Sequence, residues 1–312
     1  MRALRTLAFL AAFSAFYLLV AGAHVNAYQA ALSVPDWPLS YGHILAPEWR
    51  GNVFYEQHHR ATAATTMILF TAVLVWLARR KDLVDARRWG WRAGVALAIQ
   101  VVMGGLIVLT LNPPWLSAVH TLIAVVTVVL IAATALALLG ASGKRAGGGA
   151  RENAAIARAY GRARIGIALV LVQVGLGGVT RHPPAGELVF ITTLMAHLLV
   201  GVLLLFWLSL LAVSVVRNAT AESGGRALGR WGWFLLGALV LQVGVGAWVF
   251  VVSPEPFDQT WPPPAGFANA HAAHIVLSAF IATCLVAIRF RGSGPRSADA
   301  AAAQSPRYTA RA

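Results

Sequence analysis

The stretch Phe54-Tyr55-Glu56-Gln57-His58-His59-Arg60-Ala61-Thr62-Ala63 opens an apolar run that continues to Ala78, long enough to cross a bilayer. On a helix, Glu56, His59 and Arg60 stand at i, i+3 and i+4 and share one face. An ionisable side chain in a membrane helix costs roughly 2.5–3.5 kcal/mol near the centre. Such groups are kept for structure or for chemistry. The structural alternative makes Glu56 a partner of the helix N-terminus and lets Arg60 snorkel to the headgroups. The rest of the chain favours chemistry.

Composition sets the class. The 312 residues are 58% hydrophobic and 12% charged, with a mean hydropathy of +0.69, whereas a soluble domain is about a quarter charged. This is an integral membrane protein. Its net charge of +14 is not spread for nucleic acid: 22 of the 25 Lys and Arg fall on one side of the expected helices, leaving Arg50, Arg60 and Arg181 on the other. That asymmetry places both termini in the cytoplasm and starts the even-numbered helices at the outer face. Cys284 is the single cysteine, which excludes an intramolecular disulfide, a thiolate cluster and CxxCH haem attachment. No Walker or GxGxxG motif is present.

Eight spanning helices are expected, over about 6–23, 54–78, 93–110, 116–140, 165–180, 188–216, 232–252 and 268–288. The first run exceeds the apolar core of a cleaved signal peptide, although Ala21-Gly22-Ala23 has the look of a cleavage site. It reads as a spanning helix. The basic, glycine-rich stretch 141–164 divides the chain into four-helix units at 1–140 and 165–288, and the polar, alanine-rich tail 289–312 is expected to be disordered.

A repeat supports that division. Gln100-Val-Val-Met-Gly104-Gly105, Gln173-Val-Gly-Leu-Gly177-Gly178 and Gln242-Val-Gly-Val-Gly246-Ala247 recur in helices 3, 5 and 7, and Val20-Ala-Gly-Ala-His24 is a fainter echo in helix 1. Small residues let membrane helices approach, and a glutamine amide bonds across the interface. Helix packing accounts for the glycines but not for the repeated Gln-Val. His59, His120, His197 and His274 fall early in the four even helices, each with a small residue one turn later: Ala63, Ala124, Gly201 and Ser278. A flat macrocycle on an imidazole needs that open surface. His271 is followed by the bulkier Ile275, and His58 faces away from Glu56, so His274 and His59 are preferred. His24, His43 and His182 lack the pattern and receive no role. Paired imidazoles suit haem iron, whereas zinc wants three or four converging ligands.

With these residues in view, the chain resembles the haem A synthase family. The resemblance covers nearly all the helical part and rests on the Glu-x-x-His-Arg of Glu56, His59 and Arg60, the loop Pro35-Asp36-Trp37-Pro38, and the histidines opening helices 4, 6 and 8. It implies an all-α membrane fold of two pseudo-symmetric four-helix bundles. It also implies that His59 and His120 flank the substrate haem O in the first bundle, that His197 and His274 ligate haem b in the second, and that Glu56 serves the oxidation. Arg60 would pair with Glu56 or with a haem propionate. Val34 and Ser40 hold positions where many members carry cysteine, and Asn26 to Leu32 replace a glycine-rich segment.

The reaction so implied oxidises the C8 methyl of haem O to the formyl of haem A through hydroxylated intermediates. The implied setting is the plasma membrane of a prokaryote, with haem O synthase and an electron donor or acceptor as partners and homo-oligomerisation left open. One rival is a di-haem b cytochrome that relays electrons without modifying haem, and another is a histidine-lined transporter built from repeats. The haem types extracted from the purified protein separate the three.

Overall fold

A computed structural model describes residues 1–140, 150–182, 186–217, 225–252 and 266–292. It contains eight helices: α1 Arg2–Ala27, α2 Asn52–Ala78, α3 Val84–Leu109, α4 Pro114–Gly140, α5 Ala150–Arg181, α6 Gly186–Arg217, α7 Gly225–Val252 and α8 Phe267–Gly292. All eight are long and apolar enough to cross a membrane, and no strand occurs among the described residues. The protein is an eight-span integral membrane protein. At 26 residues, α1 reaches roughly 39 Å, beyond the hydrocarbon thickness of about 30 Å.

Contacts close the helices into two rings. In the first, α1 packs on α2, α2 on α3, α3 on α4, and α4 back on α1; α5 to α8 repeat the pattern. The rings join where α8 meets α1 and α4, and where α4 meets α5. Accordingly α4 and α8 are the most buried helices. The outer helices present apolar side chains outward, as with Val202 and Phe206 on α6 and Val240 and Phe250 on α7. A helix apolar all round is what lipid on one side and protein on the other require. One continuous core, from Leu4 and Phe70 to Leu208 and Leu285, runs through both rings. Polar pairs stitch it locally: Ser14 and Thr66 share a hydrogen bond of 2.7 Å, and the Arg5 Nε donates to the Leu138 carbonyl at 3.1 Å.

Several helices start earlier than hydropathy suggests. α3 begins at Val84, α7 at Gly225 and α5 at Ala150, so 150–164 continue a helix where a linker was expected. The reason is intrinsic propensity. Ala, Arg and Glu in Ala150-Arg-Glu-Asn-Ala-Ala favour helix without favouring lipid. Residues 141–149 of the expected linker and 293–312 of the expected tail lie outside the described residues.

Candidate functional site

Each of the four singled-out histidines faces a glycine of the helix before it. A Cβ placed on Gly22 would stand 3.2 Å from the His59 Cε1; on Gly104, 3.6 Å from that of His120; on Gly177, 3.1 Å from that of His197; on Gly246, 3.2 Å from that of His274. The recurring glycine is therefore a seat for an imidazole ring. Its neighbour serves other ends: Gly105 lies under the Trp37 ring, where a Cβ would approach to 2.6 Å, and Gly178 lies against the Ala118 backbone.

The repeated glutamine, four residues before the glycine, reaches the same ring. The Gln100 Nε2 lies 3.0 Å from the His120 Nε2, and the Gln173 Nε2 lies 3.1 Å from the His197 Nε2. The Gln242 amide spans both nitrogens of His274, at 3.2 and 3.4 Å, and donates to the Ser278 Oγ at 3.0 Å. Each amide nitrogen is a donor, so the ring nitrogen facing Gln100 or Gln173 is the unprotonated acceptor, and of the two His274 nitrogens that Gln242 spans only one accepts. In His197 the Nδ1–H donates to the Gln173 carbonyl at 3.1 Å, which fixes the tautomer and turns the Nε2 lone pair to the amide. The small residue after the histidine also gains a use here, since a Cβ on Gly201 would meet the Gln173 Nε2 at 3.2 Å.

His59 differs. One turn before Gly22 stands Leu18, so no amide exists in that register, and the buried His59 Nδ1 has no hydrogen-bond partner. Its neighbour His58 turns to Tyr17 at 3.2 Å and stacks on Phe54. His197 and His274 face each other across the second ring with centroids 6.2 Å apart. His271 instead stacks on Phe267. His120 and His59 are electrostatic neighbours in the first ring.

Glu56 is buried at 5% exposure and accepts from the Arg60 Nε at 2.7 Å. Because α2 begins at Asn52, Glu56 lies beyond the first turn, which removes the capping alternative. Arg60 does not snorkel. Its Nη1 donates to the carbonyls of Asp36 and Leu39 at 2.9 and 3.0 Å, and its Nη2 to that of Val34 at 3.0 Å. With those donors committed to the loop, Arg60 is a loop anchor, and of its two expected partners, Glu56 and a haem propionate, it pairs with Glu56. The loop is braced from within as well: the Asp36 Oδ1 and Oδ2 accept the Tyr41 and Gly42 N–H at 2.7 and 2.8 Å. Those bonds, that from Gly42 foremost, and the Arg60 charge hold the Asp36 carboxyl below its ordinary range. Tyr41 and Gly42 sit at φ 54° and 76°, the left-handed turn these bonds enforce.

These residues fit haem iron. The donors are imidazoles set against glycine, two of them (His59 and His120) carry a buried Nδ1 without a partner, and no cluster of three or more His, Cys, Asp or Glu is found among the described residues. Sequence reasoning missed that the glutamines and glycines serve the histidines. The matched spacing of Gln, Gly and His was a signal for it, but which helix faces which was not.

The chain is 33% identical to the haem A synthase of Ruegeria pomeroyi over 131 residues, covering 38% of this chain and 33% of that protein. The match to the haem A synthase of Ruegeria sp. (strain TM1040) has the same identity and extent, and that of Roseobacter denitrificans is 33% identical over 130 residues. Over that stretch the chain is similar to the haem A synthases. The matched part spans about a third of the length of these relatives. No protein-family model matches the chain.

Proposed function

We propose that this membrane protein is a haem A synthase, oxidising the C8 methyl of haem O to the formyl of haem A. The observation that carries the reading is Glu56: among the described residues, a buried carboxylate accompanies His59 and none of the other three histidines. A relay of electrons explains four imidazoles but gives that carboxylate no task. The kinship with haem A synthases supports the same choice.

His59 and His120 would hold haem O as substrate, and His197 and His274 would hold haem b. When bound, haem b supplies one-electron transfer to the partner half. The chain's own residues do the rest. Glu56, one turn from His59 on the same face, is placed to take a proton from the ring edge or to balance positive charge developing there. The Arg60 Nε orients the Glu56 Oε1, and the same guanidinium pins the 34–39 segment beside α2. Trp37, seated on Gly105, ties that loop to α3.

The test is Glu56→Gln, which keeps shape but cannot hold a proton or a negative charge. Cells making it should accumulate haem O or its hydroxylated form, with haem A production lowered about a hundredfold or more and the purified protein still loaded with haem. Parent-level haem A from this variant would sink the assignment and leave the electron relay. The proposed orientation is checked separately: reporter fusions at Gly148 and at the C-terminus should be active only in the cytoplasm, and one near Pro263 only outside.

A further inference from the structure

Where the rings meet, beside the histidine-bearing end of the second, the structure gathers a group that the reaction above does not use. It comprises Arg181 and His182 at the end of α5, Phe267 and His271 at the start of α8, and Asn26 at the end of α1. The Arg181 Nη2 donates to the Asn26 carbonyl at 3.2 Å, and its guanidinium lies 5.3 Å above the Phe267 ring. The Arg181 Nε and the His182 Nε2 are both buried without a hydrogen-bond partner. Among the described residues, none of the ion pairs Glu48–Arg50, Glu56–Arg60 and Arg80–Asp82 involves Arg181.

A guanidinium needs more than one carbonyl and one ring face when its Nε is out of water. Burying a cation without an anion is costly, and the planar fork with donors to spare matches a carboxylate. The position narrows the choice. Arg181 is one turn beyond Gly177, which seats His197, and His271 is one turn before His274 and an electrostatic neighbour of Arg181, His182 and His274. The unmet donors thus cluster at the edge of the place where the His197–His274 pair would hold a haem. The carboxylates a haem carries are its propionates.

We propose that Arg181, assisted by His182, is a carboxylate seat that takes a propionate of the haem held between His197 and His274. This rests on the haem reading above and gives the second ring a fixed haem orientation that the first does not share. Arg60 in the first ring is committed to Glu56 and the loop, whereas Arg181 keeps a donor in reserve.

The experiment is haem titration of the detergent-solubilised, haem-depleted full chain, using free-acid haem b and its dimethyl ester, read from the low-spin Soret band. The parent should bind the free acid about tenfold more tightly than the ester, the order expected of one charge-assisted hydrogen bond. Arg181→Gln should lose most of that preference, with its ester affinity near the parent's, and Arg181→Lys should keep part of it. A parent indifferent to esterification, or an Arg181→Gln variant with the full preference, overturns the proposal. Loss of bound phospholipid from Arg181→Gln with unchanged haem preference overturns it too, and assigns the seat to a lipid phosphate. The parent comparison needs no variant, so it decides even if Arg181→Gln misfolds. The haem reading fails differently: His274→Ala would then bind haem as well as the parent.

Discussion

His59 and His197 occupy equivalent places in the two rings, each early in a helix and each against a glycine of the preceding one. What surrounds them is not equivalent. His197 donates its Nδ1–H to the Gln173 carbonyl and meets the Gln173 amide at its Nε2. His59 faces Leu18 where an amide would stand, and it has a buried carboxylate one turn away and a loop fastened above by Arg60. A resident cofactor needs a fixed ligand, whereas a substrate must come and go. On the function proposed above, the same architecture would serve both, because the difference lies in side chains while the seating glycines recur.

The comparison breaks most visibly at the glycines. Gly177→Leu would drive branched carbon into the His197 ring, which a Cβ alone already approaches to 3.1 Å. Haem affinity in the second ring should fall by about 10–100-fold, the cost usual for disturbing what orients a metal ligand. Gly104→Ala adds a Cβ at 3.6 Å from His120, an ordinary contact, and should leave haem content unchanged. Titration of both purified variants checks the pair. Equal effects at the two positions would mean that the glycines serve helix packing and do not seat imidazoles.

A smaller effect tests the missing amide. In Leu18→Gln the new side chain would offer His59 the donor that His120 and His197 already face, on the lone pair that iron needs. Haem capture by the first ring should weaken several-fold, matching a net hydrogen bond of about 1 kcal/mol. Gln173→Leu should strengthen capture in the second ring by a similar factor. Competitive loading followed by haem extraction would show both changes. No change in Leu18→Gln would mean that the amides do not compete with haem.

These contrasts were only partly legible in the sequence. Hydropathy found all eight helices because lipid demands apolar runs of that length, and it missed helical extensions such as Ala150-Arg-Glu-Asn, where propensity rather than lipid makes the helix. Spacing placed Glu56, His59 and Arg60 on one face, since a helix fixes that locally. It did not reveal that Gln173 and Gly177 meet His197, because pairing between helices is non-local. Nor did it show that Arg60 spends its donors on Val34, Asp36 and Leu39, since an irregular loop has no period to read.

The smallest expected effect concerns that loop. The Asp36 carboxylate accepts two backbone N–H groups, and its folded pKa lies below the ordinary value, the Gly42 bond first among the causes. A group with a depressed folded pKa stabilises the fold above its unfolded pKa, and that contribution is lost as pH falls through the folded value. The turn over the first ring should therefore hold firm at neutral pH and loosen only below the usual carboxylate range. Hydrogen exchange at the Tyr41 and Gly42 amides reads this directly. Asp36→Asn keeps one acceptor oxygen but removes the charge, so its exchange should be faster at neutral pH and flat across the acid range. The second ring should be indifferent to the change, since Asp36 belongs to the loop that Arg60 fastens to α2. Haem b content unchanged in Asp36→Asn, alongside a modest fall in haem A output, would localise the loop's role to the first ring. An equal loss of haem from both rings would show that the loop supports the whole fold, and the division of labour between the rings would lose this support.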